Sequence, residues 1–109
     1  MANKKELRYY KTENGKMPFV DWLNQFRDYI TRSRIERRLE RMELGHYGDY
    51  KPLGDGVFEL KLAFGPGYRV YFSEYDDFVV ILLCGGDKST QKRDINTAKQ
   101  YWQELKERL

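Results

Sequence analysis

In the stretch Val57 to Phe72, VFELKLAFGPGYRVYF, alternate positions carry Glu59 and Lys61 before a Gly-Pro-Gly turn, and Arg69 and Tyr71 after it. Side chains along a strand alternate between its faces, so this spacing gathers a carboxylate, two cations and a phenol on one side of a β-hairpin. Together they can hold an anionic group from two directions, move a proton and stabilise negative charge as it develops. The interleaved Phe58, Leu60, Leu62, Phe64, Tyr68, Val70 and Phe72 form the opposite, core-facing side. A tight turn at Gly65-Pro66-Gly67 would set Phe64 against Tyr68. Lys61 then opposes Tyr71, with Arg69 on the diagonal. Solvated sheet faces also carry Lys, Arg and Glu, so the hairpin alone does not assign a function.

The rest of the chain supplies the elements that must position this face. Leu7 to Thr12 reads as a short bordering strand that ends in a turn at Glu13-Asn14-Gly15. From Pro18, a suitable first helical residue, apolar side chains recur at Phe19, Trp22, Leu23, Phe26 and Ile30. A second helix is expected from about Thr31 to Leu44, stopped by Gly45. At 100° per residue it has an apolar seam of Ile35, Leu39 and Met42. Arg34, Arg37, Arg38 and Arg41 occupy one flank and Glu36, Glu40 and Glu43 the other. The arginine flank suits a phosphate backbone, or else a solvated helix with local ion pairs. The two helices read as an αα-hairpin laid across a sheet.

Gly45 to Gly56 reads as a glycine-rich loop that carries His46, the chain's single histidine, and Lys51 towards the polar face. After a turn at Ser73 to Asp77, the run Phe78 to Cys84 (FVVILLC) suits a central strand covered on both faces. Gly85-Gly86-Asp87-Lys88 ends it, and Ser89 can cap a last helix from about Thr90 to Glu107. The stripe of that helix is Ile95, Ala98, Trp102, Leu105 and Leu109. Lys88, at a strand end beside a helix N-terminus, is a candidate phosphate ligand.

A chain of 109 residues with 40% hydrophobic content suits one domain. The polar start MANKKELR has no apolar block, and no apolar run reaches membrane-spanning length, so a soluble, cytoplasmic protein is expected. Cys84, the lone cysteine, reads as a buried, inert thiol. One histidine and one cysteine do not make a usual zinc site, and dinucleotide and Walker signatures are missing, so neither metal nor cofactor is expected. The net charge of +3 mildly favours an anionic partner.

FELKLAFGPGYRVYF followed by LLCGGDKSTQKRDINTAK, with RIERRLERMELGHYGDYKPLGDG upstream, resembles the phage-derived, HigB-like addiction-module killer proteins of the RelE/ParE toxin superfamily. The resemblance covers nearly the whole chain. It implies an α+β fold: an N-terminal strand, a helical hairpin, a three-stranded antiparallel meander and a C-terminal helix. It also implies a toxin neutralised by a cognate antitoxin. RelE-like members cut mRNA on the ribosome without metal, by attack of a ribose 2′-OH on the adjacent phosphate, whereas ParE-like members inhibit gyrase. By position, Arg69 matches an arginine of many RelE-like nucleases, and Lys61 stands where arginine is usual. Asp87 and Lys88 stand near where relatives place His or Tyr. The expected catalytic set is Glu59, Lys61, Arg69, Tyr71 and Lys88. Lys51, His46 and the four helix arginines are expected to hold mRNA and ribosomal RNA. A gyrase-binding toxin and an inactive interaction protein of the same fold remain open.

Overall fold

A computed structural model describes residues 4–109. Met1 to Asn3, which begin the polar start, lie outside the described residues. In chain order the elements are β1 (Glu6–Tyr9), α1 (Pro18–Asn24), α2 (Tyr29–Glu43), β2 (Tyr50–Gly54), β3 (Val57–Lys61), β4 (Arg69–Tyr75), β5 (Val79–Gly86), a 3₁₀ turn (Lys88–Thr90) and α3 (Gln91–Arg108). The strands form one sheet in the order β1-β5-β4-β3-β2, with β1 parallel to β5 and the other neighbours antiparallel. The chain is therefore α+β, and its sheet is mixed and five-stranded.

Each face of the sheet has its own helices because each carries its own apolar set. On one face Leu60, Leu62, Val70, Phe72, Val80 and Leu82 pack with Phe19 of α1 and with Ile35, Leu39 and Met42 of α2. On the other, Val57, Tyr71, Val79, Ile81 and Leu83 pack with Ala98 and Trp102 of α3. A register irregularity opposite Tyr71 and Phe72 brings Cys84 to the α3 side along with Leu83. This two-sided cover is what the unbroken apolar run of β5 requires. For α2, three buried side chains at about 1.5–3 kcal/mol each outweigh the Arg32–Glu36 pair, which is exposed and adds about 0.3–0.5 kcal/mol. The apolar seam, not the charge pattern, fixes this helix.

Several expectations shift. The first helix ends at Asn24, and Asp28 caps a new one by accepting from the Ile30 amide. Ile30 consequently sits in an outward-facing first turn, 67% exposed. The stretch taken for a glycine-rich loop contains β2, an edge strand where Pro52 is tolerated. Its glycines serve the Gly54-Asp55-Gly56 turn, where all three residues have positive φ. Asp87, not Ser89, makes the cap before α3, and the 3₁₀ turn precedes the helix proper. Leu109 leaves the expected stripe and is exposed.

The hairpin register also differs. Lys61 pairs directly with Arg69 and Glu59 with Tyr71, two residues from the tight-turn alignment. The connection is longer because the Leu62 amide closes on the Tyr68 carbonyl, leaving Ala63 to Gly67 as the loop. A slip of one residue would have exchanged the faces; a slip of two preserves them.

Among the described residues, no helix is long and apolar enough to cross a membrane. Gly85 lies under the Trp22 ring, and a Cβ there would press into the indole. Gly85→Ala is expected to cost about 1–3 kcal/mol through overpacking, read as a lower urea midpoint with an unchanged slope.

Candidate active site

Two adjacent rows cross the α3 side of the sheet. Lys51, Glu59, Tyr71 and Cys84 form one, and Lys61, Arg69 and Gly86 form the other. This face is not the open polar surface expected from alternation alone. The first turn of α3 lies over it, leaving Glu59 3% and Arg69 6% exposed. What stays open is a pocket of about 210 Å³ lined by Asp49, Tyr50, Lys51, Glu59, Lys61, Arg69 and Gln91.

Glu59 is the hub. Its Oε1 accepts from Gln91 Nε2 at 2.8 Å and lies 3.7 Å from Arg69 Nε, while Oε2 lies 3.7 Å from Lys51 Nζ. Arg69 Nη1 donates to the Gly67 carbonyl at 2.5 Å, which folds the guanidinium beneath the Gly-Pro-Gly loop. Its Nε has no hydrogen-bond partner. The Nε is itself buried on the Glu59 side, while the residue lines the pocket, where a nearly buried cation attracts an anion. Lys61 and Lys51 add positive charge from the exposed end of β3 and from edge strand β2.

The other expected residues are placed differently. Tyr71 is fully buried between sheet and α3, with an unpartnered hydroxyl. Burial and the Glu59 charge push its pKa upward, so it remains a neutral phenol and cannot serve as a base. Lys88 is exposed beyond Gly67, and its amide meets the Pro66 carbonyl at 3.4 Å. It stands outside the pocket lining. The donors next to it are already taken, since Asp87 Oδ1 accepts from the Ser89 amide at 2.8 Å and from the Ser89 hydroxyl. Those bonds hold the Asp87 carboxyl below its usual range. The chain's own carboxylate thus fills the anion position expected for a phosphate at Lys88.

His46 follows α2, exposed, with its amide on the Arg41 carbonyl, and lines neither this pocket nor the arginine groove described next. The loop does not carry it over the sheet. Arg34, Arg37, Arg38 and Arg41 do lie together, along a groove of about 290 Å³ completed by Ala63 and Phe64. Arg38 ties the two regions by donating to the carbonyls of Tyr47 at 3.1 Å and Lys61 at 3.5 Å. Cys84 is buried, and burial followed by the Asp94 charge pushes its thiol up to about 12. A thiol so placed is no nucleophile near neutral pH.

Gln91, Asp49 and Tyr50 were missed by sequence reasoning. Gln91 is in the string GGDKSTQ, where only the three-dimensional turn aims it at Glu59; Asp49 and Tyr50 were hidden by the loop reading of β2. Among the described residues, no group of three or more His, Cys, Asp or Glu is close enough to hold a metal ion.

Two variants test this geometry. Tyr71→Phe removes a buried hydroxyl that has no partner, so stability should stay the same or rise by up to about 1 kcal/mol in urea unfolding. Gly67 has φ +78°, and a Cβ there would lie 2.9 Å from Arg69 Nη1. Gly67→Ala should cost about 1–2 kcal/mol and displace Arg69, seen as a changed Arg69 side-chain NMR signal.

No protein-family model matches the chain. A Haemophilus influenzae protein described as "Uncharacterized protein" is 45% identical over 89 residues, spanning 82% of this chain and 90% of that one.

Proposed function

The chain belongs to one family with that Haemophilus influenzae protein, and we propose that it is the toxin of a toxin–antitoxin pair: a RelE-like endoribonuclease that cuts mRNA on the ribosome. The observation that carries this is the Arg69 guanidinium, buried against Glu59 with its Nε unpartnered and lining one pocket with Lys61 and Lys51.

In the proposed step, a ribose 2′-oxygen attacks the adjacent phosphorus and the bond to the 5′-oxygen breaks. The products are a 2′,3′-cyclic phosphate and a 5′-hydroxyl. Arg69 and Lys61, directly opposed across the hairpin, hold the non-bridging oxygens as charge builds on them. The 2′-OH proton passes to a carboxylate bordering the pocket, Glu59 within it or Asp49 at its rim, and a proton from solvent water in the open pocket goes to the departing 5′-oxygen to give the 5′-hydroxyl. Lys51 balances Glu59. Tyr71 supports the floor without touching RNA. The ribosome contributes the strand conformation that puts the 2′-oxygen in line.

The cognate antitoxin is proposed to be an acidic or amphipathic segment that covers the pocket or displaces α3. Displacing α3 would separate Gln91 from Glu59 and uncover the Trp102 side of the core.

Arg69 cannot simply be truncated as a surface residue can, because its removal leaves Glu59 buried with less compensation, at about 3–5 kcal/mol. Arg69→Lys keeps the charge and removes the two-pronged grip. In a cell-free translation extract, wild type should cut mRNA and leave cyclic-phosphate ends. Arg69→Lys should lose about 100- to 1000-fold in rate at near-native stability. Intact mRNA with wild type would overturn the nuclease reading, and relaxed plasmid in the same extract would indicate gyrase inhibition.

A further inference from the structure

The arginine groove beside α2 is more than a strip of charge. None of Arg34, Arg37 and Arg41 makes an ion pair or side-chain hydrogen bond among the described residues, and no carboxylate lines the groove. Cations at i, i+3 and i+4 repel one another, and here the fold leaves them facing one concave surface. Arg34 also lies over an aromatic ring, its Cζ 4.3 Å from the centroid of Phe64. Phe64 is braced edge-on by Tyr68 at 5.6 Å, and Tyr68 by Phe26 at 5.1 Å. A point charge for phosphate needs no such support. A guanidinium plane backed by a rigid ring is a surface on which an unpaired base stacks.

The groove and the sheet pocket share no lining residue and lie on the α2 and α3 sides of the sheet, but they approach each other where β3 runs into the hairpin loop. Lys61 lines the pocket and Ala63 the groove, two residues or about 7 Å apart along an extended chain, and Arg38 bonds the Lys61 carbonyl between them. One flexible polymer can reach both sites.

We propose that the groove binds one unpaired nucleotide of single-stranded RNA that flanks the nucleotide in the sheet pocket. The base stacks on the Arg34–Phe64 pair, and its phosphates lie against Arg37 and Arg41. This deepens the nuclease proposal and rests on it for the identity of the polymer, but binding can be read without cleavage.

The test uses the full chain and a short, labelled oligoadenylate with 2′-O-methyl sugars, which cannot undergo 2′-OH attack, beside the same backbone with abasic sugars. By fluorescence anisotropy, wild type should bind the base-bearing strand about 10-fold more tightly than the abasic one, as loss of one stacked base predicts. Arg34→Lys, which keeps the charge and loses the plane, should abolish that preference while leaving the salt dependence unchanged. Arg37→Gln should weaken both strands and lower the salt slope by about 0.7. Equal affinity of wild type for the two strands, an unaltered preference in Arg34→Lys, or equal competition by polyglutamate would overturn the proposal and leave a nonspecific cationic face. A base preference that depends on Arg34 in a protein that never cuts mRNA would support the groove and overturn the nuclease; cutting without the preference would do the reverse.

Discussion

The contact between Glu59 and Arg69 organises the α3 side of the molecule. Two opposite charges, each nearly buried, lie 3.7 Å apart, too far for a hydrogen bond, so neither is fully satisfied by the other. Gln91 completes Glu59 from α3 and the Gly67 carbonyl completes one end of Arg69 from the hairpin loop. The pair therefore couples three elements, β3, β4 and α3, and leaves the buried Nε of Arg69 without a hydrogen-bond partner. A hydrophobic pair of similar volume would hold sheet and helix together as well or better. What it would lack is a fixed, desolvated cation at the edge of a polar pocket.

Much of the fold was legible in the sequence because it follows from periodicity. The period of two in Val57 to Phe72 assigned the faces correctly, although the register was off by two, since an even slip keeps every side chain on its side. Ile35, Leu39 and Met42 marked the buried seam of α2 despite the charge around them, and the continuous run in β5 announced its two-sided cover. The boundaries set by local polar contacts were not legible. The Asp28 cap divides the helices where apolar spacing runs on to Ile30, and β2 hides among glycines that belong to its turns.

The candidate site was legible in its members and not in its state. Glu59, Lys61, Arg69 and Lys51 do converge. Alternation gives the side of a sheet to which a residue points but says nothing of what packs on that side. Tyr71 and Arg69 were accordingly read as solvated when the start of α3 covers them. The Lys88 position failed for a related reason: a helix start looks like an anion site until its own Asp87 is seen to occupy the donors. On the proposed reading, chemistry takes place at the opening between β2, β3 and Gln91, with the arginines of α2 as the approach for the strand.

The most direct measurement concerns the unspent donor of Arg69. With ¹⁵N-labelled protein, the Arg69 Nε–H signal can be followed by NMR during titration with a phosphodiester such as dimethyl phosphate. A slowly exchanging signal that shifts with the anion, while Lys61→Gln weakens the response, is the result predicted. A signal that exchanges at the rate of a solvated arginine and does not move with the phosphodiester would contradict the claim that the Glu59–Arg69 pair builds an anion site.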